Sequence, residues 1–277
     1  MAPAGERIDG PDGVGIAFER YEGAGPKVVL LHAGVADRRA WLEAGKLLNE
    51  RGADVVAYDR RGFGETAPAK ATFDPAEDLI SVLEAIAAGE PVWLVGNSQG
   101  GLISLDLALT VPERVAGLVL IAPAVSGAPE ISDDDLDPVT REISDAIDAA
   151  ADDGDIDRIN ELEVRLWLDG PSAPPGRVTG PIRDLALEMN AIALASDESE
   201  QEQNGGRDAW SVLERIDAPT TVIWGEHDIP AVVDTCRELA RRLPNCGEPV
   251  VLADAAHLTG LEHPRRTTEA IAEAIGI

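Results

Sequence analysis

The sequence predicts an α/β fold in which a mostly parallel central sheet carries helices on both faces, and three observations predict it. Short apolar runs alternate with helical patterns along most of the chain. Those runs are apolar at consecutive positions, as strands buried on both faces are. The alternation lapses once, from about Val125 to Trp210, where helical patterns succeed one another with no strand between them.

Taken in order, Gly13 to Tyr21 reads as an antiparallel edge strand. Buried strands follow at Val28-Val29-Leu30-Leu31, Val55-Val56-Ala57-Tyr58, Val92-Trp93-Leu94-Val95, Val115 to Ile121, Thr221-Val222-Ile223-Trp224 and Val250-Val251-Leu252. Between the second and third of these, Asp74 supplies a capping side chain, Pro75 the first helical position and Glu77 an acid at the third. Leu79, Leu83 and Ile86 then recur at helical spacing, and Gly89 is expected to stop the helix. In the lapse, Val139, Ile143, Ala146, Ile147 and Ala150 mark one helix. Ile156, Ile159, Leu162 and Leu166 mark a second, and Ile182, Leu185, Met189 and Ile192 a third. Gly170 to Pro181, rich in glycine and proline, is a loop or hinge. There is no internal repeat.

A chain of 277 residues with 44% hydrophobic and 27% charged residues can bury one sizeable core, with room for an insert. Its mean hydropathy of -0.06 is that of soluble globular proteins. The opening Met1-Ala-Pro-Ala-Gly-Glu-Arg is broken by charge and proline where a secretory signal needs an apolar region, so a cytoplasmic location is expected. Cys236 and Cys246 have neither a CxxC partner nor a nearby histidine pair, and free thiols are expected. No metal or cofactor is expected. The formal charge of -28 repels nucleic acid and anionic membranes, leaving a small-molecule substrate as the expected partner of a monomer or homodimer. Lysine is confined to Lys27, Lys46 and Lys70, which fits codon bias or adaptation to high salt. The runs Asp133-Asp134-Asp135 and Asp152-Asp153 read as solvated faces or helix starts rather than cation sites.

The chemistry enters at Gly96-Asn97-Ser98-Gln99-Gly100-Gly101. This stretch follows the strand run ending at Val95 and precedes a helical pattern through Leu102, Leu105 and Leu109. A serine at such a strand-turn-helix apex is held on a strained backbone, and small residues flank it because side chains would collide there. Alone, G-x-S-x-G is a weak signal; in this context it is a strong one.

With this elbow go Leu31-His32-Ala33-Gly34 after the first buried strand and Asp59-Arg60-Arg61-Gly62-Phe63-Gly64-Glu65-Thr66 after the next. Later come Gly225-Glu226-His227-Asp228, then Ala256-His257 before Glu262-His263-Pro264. On these landmarks nearly the whole chain resembles the α/β-hydrolase family, in the form that carries a helical cap after the sixth strand. The resemblance implies a core of residues 1–124 and 211–277 and a helical cap of 125–210.

A serine hydroxyl needs a base to remove its proton. Of the four histidines, His257 lies just past the last strand run, on the sheet edge where ligands bind in such folds. His263 looks like a helix start, and His32, by resemblance, supports the oxyanion loop. The base needs a carboxylate to fix its tautomer. Asp228 and its neighbour Glu226 both follow a strand, and the family's spacing favours Asp228. Asp254 and Glu262 read as a turn residue and an N-terminal helix charge. Two N–H groups should face the developing oxyanion. Gln99, next after the nucleophile, supplies one, and aligning His32-Ala33-Gly34 with the family's His-Gly-x pattern points to Gly34 for the other. Ala33 replaces the usual glycine, which leaves Val35 as the competing donor.

The resemblance also implies that the cap lines the substrate pocket, with Val35, Trp167, Met189, Leu166 and Leu187 as candidate wall residues. Packing of the cap onto the sheet is the competing role for the cap members. Relatives that open epoxides or cleave carbon-halogen bonds carry aspartate at the elbow, so Ser98 points to acyl transfer. A carboxylic ester, lactone or thioester hydrolase is expected. A carbon-carbon bond hydrolase of ring-cleavage products and a low-turnover ligand-binding protein are the alternatives.

Overall fold

The computed structural model describes residues 7–132, 135–196 and 202–277. Eight strands form one sheet in the order β1-β2-β4-β3-β5-β6-β7-β8. They are β1 Arg7–Asp9, β2 Gly15–Tyr21, β3 Lys27–Leu31, β4 Asp54–Tyr58, β5 Val92–Asn97, β6 Val115–Ile121, β7 Thr220–Gly225 and β8 Val250–Leu252. From β4 to β8 all neighbours pair in parallel, while β2 runs antiparallel to β1 and β4. The expected edge strand is therefore β2, although β1 lies outside it. Arg7-Ile8-Asp9 has one apolar residue and so no periodicity to betray it.

The consecutive apolar positions of the strands serve two cores. Val28, Leu30, Val55 and Ala57 join α1 (Leu42–Glu50) and the last helix, α9 (Pro264–Ile275), on one face. Val29, Leu31, Val56 and Tyr58 join α2 (Pro75–Ala87), α3 (Gln99–Thr110) and α7 (Pro230–Arg242) on the other. Strands β3 to β7 thus feed both cores through their two-residue period, whereas on the edge strand β8 Val251 is exposed rather than buried as expected. Asp74 caps α2 by accepting from the Ala76 N–H at 2.9 Å. That helix ends one residue earlier than Gly89 implied, because Ala88 already turns left-handed at φ 41°.

Between β6 and β7 lie α4 (Pro138–Asp153), α5 (Ile156–Val164), a wide turn at Arg165–Asp169, and α6 (Pro181–Ser196). Ile143, Leu162 and Leu166 pack with Ile229, while Val164, Leu168, Ala186 and Met189 pack with Ala33, Ala36, Leu258 and Leu261. The loop 170–181 is pinned rather than hinged. The buried Asp169 carboxylate accepts from the N–H groups of Gly176 and Val178 and pairs with Arg183 at 2.9 Å.

Cys236 and Cys246 are both free thiols. Asp152-Asp153 ends α4 rather than starting a helix, and Asp135 is exposed, accepting from the Ser132 hydroxyl. Asp133, Asp134 and the opening segment up to Glu6 lie outside the described residues. Among the described residues no helix is long and apolar enough to cross a membrane.

Candidate active site

Ser98 joins β5 to α3 at φ 54° and ψ -115°, a backbone region that residues with a Cβ avoid. The surroundings over-determine this conformation. The Ser98 N–H donates to the Ile121 carbonyl and the Ser98 carbonyl accepts from Ala124, both at 3.0 Å. A Cβ on Gly96 would collide with the Gly100 carbonyl, and one on Gly100 with the carbonyl of Leu31 in the adjacent strand. Gly100→Ala is therefore expected to destabilise the fold by about 3 kcal/mol through overpacking against fixed backbone. Urea unfolding measures it, and an unchanged midpoint would mean that the elbow relaxes freely.

His257 sits in the loop after β8 and is buried, with its Nδ1 2.9 Å from Asp228 Oδ2. An ionised carboxylate only accepts, so Nδ1 carries a proton, and in the neutral imidazole Nε2 is then the nitrogen with the lone pair. The other Asp228 oxygen accepts from the Ile229 N–H at 2.8 Å. Three further contacts hold the histidine loop. The His257 N–H donates to Trp167 O at 3.2 Å, Asn97 Nδ2 donates to His257 O at 3.1 Å, and the Ala256 N–H donates to Glu262 at 3.0 Å. Glu262 does sit in the first turn of a helix, as expected, but it is not a solvated charge there. It closes the short helix α8 (Thr259–Glu262) as a buried carboxylate paired with Arg177. Burial pushes its carboxyl up, and Arg177 pulls the other way. Glu226, the competing acid, instead accepts from the Asp254 N–H at 3.0 Å.

On the opposite side lies the loop after β3. His32 is fully buried, and its Nε2 accepts from the Arg60 N–H at 3.0 Å. The proton must then be on Nδ1, which donates to the Ala33 carbonyl at 2.8 Å. Burial first, and the Arg60 guanidinium second, hold this imidazole well below its ordinary pKa, so it is a neutral prop. Neither Ala33 nor Gly34 takes a positive φ. Alanine therefore fits where the family pattern has glycine, in a turn closed by the Ala36 N–H on Ala33 O. Gln99 opens α3, so its N–H has no carbonyl one turn back to bond.

Ser98, His257, Gln99, Gly34, Val35 and Trp167 all line one cavity of about 810 Å³, large enough for a drug-sized molecule. The Trp167 ring lies against the His257 ring, with centroids 4.6 Å apart. Of the candidate wall residues, Val35 and Trp167 reach the cavity, whereas Met189 does not. It is fully buried in the cluster that joins α5 and α6 to the loops around the site, where Leu187 also packs. Leu166 packs toward α4. Wall residues that hydrophobic periodicity missed include Phe63, Glu163, Asn190 and Glu202. The polar three carry no apolar signal: Glu163 lies on α5 and Asn190 on α6, while Glu202 lies beyond α6 in a bridge to Phe73. Among the described residues no cluster of three or more His, Cys, Asp or Glu is placed to hold a metal ion.

A family model described as "Alpha/beta hydrolase family" matches residues 28–270. A putative carbamate hydrolase RutD of Variovorax paradoxus is 41% identical over 109 residues, 36% of this chain and 41% of its own. The match thus spans about two-fifths of that relative. Lipase LipV of Mycobacterium tuberculosis is 29% identical over 248 residues, covering 87% of this chain and 78% of its own. Among solved structures, a thermophilic esterase from Thermogutta terrifontis superposes with a TM-score of 0.74 at 24% identity over 96% of each chain, a likeness of fold. With the family model spanning most of its length, the chain belongs to the alpha/beta hydrolase family.

Proposed function

We propose that the protein is a serine hydrolase that cleaves a small carboxylic ester, lactone or thioester through an acyl-enzyme on Ser98. One observation carries the reading. A serine on a strained elbow and a histidine whose proton is fixed on Nδ1 by a buried aspartate face the same cavity. In the proposed reaction His257 Nε2 takes the Ser98 proton as Oγ attacks the carbonyl carbon. The oxyanion is met by the N–H groups of Gln99 and Gly34. Collapse breaks the bond to the alkoxide or thiolate, which leaves with the proton from His257, and water activated by the same base then hydrolyses the acyl-enzyme. Residues 125–210 form the cap in this reading and the rest of the chain the core. The names of the relatives, a lipase and a carbamate hydrolase, are compatible with attack at a carbonyl carbon.

A fluorophosphonate probe is expected to label Ser98 stoichiometrically and to leave Ser98→Ala unlabelled, as read by intact-protein mass spectrometry. Folded wild-type protein that takes no label rejects the nucleophile. A panel of p-nitrophenyl esters and lactones, set against dienone substrates with a carbon-carbon scissile bond, separates the reaction classes. Preference for the dienones would transfer the assignment to carbon-carbon hydrolysis. Labelling without turnover of any panel member would leave a ligand-binding role.

A further inference from the structure

The cavity wall is chemically lopsided. Its lining includes the acids Glu163 and Glu202 but neither lysine nor arginine. Glu202 is balanced by the buried Arg60, 3.5 Å away. Glu163 has no cation within salt-bridge distance among the described residues; its Oε2 accepts only from Asn190 Nδ2, at 2.7 Å. Burial pushes its carboxyl above the ordinary value, and the hydrogen bond from Asn190 pulls the other way.

Asn190 supplies the independent observation. It is only 1% exposed, yet it lines the cavity. Its orientation follows from its neighbours. The Leu187 carbonyl can only accept, so the group 3.0 Å from it is the Asn160 amide nitrogen. Asn160 Oδ1 then faces Asn190 at 3.0 Å and accepts from its Nδ2, which also serves Glu163. Both Nδ2 protons are thereby committed, and Asn190 Oδ1 is left without a donor among the described residues. That oxygen keeps access to the cavity that Asn190 lines, where it is free to accept from a ligand. Two acceptors, one of them charged, ask for a group that combines positive charge with several N–H bonds.

We propose that Glu163 and Asn190 form a subsite for a primary ammonium group, so that the preferred substrates are esters bearing an alkylammonium chain. The inference rests on reading this cavity as the site of ester hydrolysis. Trp167 lies four residues after Glu163, with its ring against His257. The methylenes of such a substrate cross the apolar indole between the scissile carbonyl and the charged end.

Two isosteric pairs test it: p-nitrophenyl 6-aminohexanoate against p-nitrophenyl heptanoate, and 6-aminohexyl acetate against heptyl acetate. In at least one pair the amino ester is expected to show kcat/KM about tenfold or more above its neutral partner, at neutral pH and about 0.15 M salt. Glu163→Gln is expected to bring that ratio near one. Glu50→Gln, an exposed acid remote from the cavity lining, is expected to leave it intact, which separates the subsite from the general pull of an acidic protein. Ratios near one in both pairs, or a ratio that Glu163→Gln leaves unchanged, overturn the proposal while ester hydrolysis stands. Calorimetry of hexylammonium against 1-hexanol, on the wild-type protein and Glu163→Gln, reads the subsite without turnover. Glu163-dependent preference for hexylammonium supports the subsite even if no ester is hydrolysed and Ser98 takes no label. Equal binding of the two overturns it.

Discussion

Replacing His257 by alanine is expected to lower kcat for a p-nitrophenyl ester on the order of 10⁶-fold, the scale on which serine hydrolases lose rate without their base. The size of the effect follows from the geometry. Ser98 has no other imidazole in its cavity: His32 is spent between Ala33 and Arg60, and His227 faces Ser172 and Asp254. The substitution also leaves the buried Asp228 with the Ile229 N–H but no His257 Nδ1–H. A stability loss of about 1–3 kcal/mol is therefore expected beside the kinetic one. His257→Gln retains an amide donor of similar reach and is expected to recover part of the stability and none of the rate. Steady-state kinetics with thermal melts on both variants checks this. A rate within tenfold of wild type in either folded variant removes His257 from the proposed mechanism.

The parts of this site that were legible in the sequence are those encoded within a few residues. The elbow at Ser98 is a strand run, a small-residue turn and a helical pattern in succession, so its strain is written locally. Asp228 and His257 were legible from position, because each lies just past a strand run, and a parallel sheet delivers all such positions to one edge. Hydrophobic periodicity does not find the cavity wall, for a definable reason. It finds the face of a helix that packs, and on α6 that face holds Met189, whereas the adjacent Asn190 reaches the cavity. Neighbouring helical residues are about 100° apart, so the packing face and the wall are different stripes. The ion pair of Glu262 was not legible because it is wholly tertiary: nothing near it in sequence announces Arg177, 85 residues earlier. The same holds for Asn97. It stands in the elbow motif, but its work is to hold the carbonyl of His257, 160 residues away.

Asp228→Asn carries the second large expected effect, and the structure dictates which way the new amide turns. The Ile229 N–H donates to Oδ1 at 2.8 Å, so the carbonyl oxygen of an asparagine stays there. Its NH₂ then occupies the position of Oδ2, 2.9 Å from His257 Nδ1. An amide nitrogen donates where the carboxylate accepted, so Nδ1 must present its lone pair and the proton moves to Nε2. The imidazole now offers Ser98 a donor instead of a base. The expected loss is about 10⁴-fold in kcat, as for the wrong tautomer in serine proteases, with the fold little changed because the substitution is isosteric. Fluorophosphonate labelling of Ser98 should slow in parallel, since it draws on the same proton transfer. Glu226→Gln provides the contrast. That side chain bonds Asp254 on the surface, and its loss is expected to change kcat less than about threefold. If Asp228→Asn keeps kcat within tenfold of wild type while Glu226→Gln loses it, the carboxylate that orients the base has been assigned to the wrong residue of the pair.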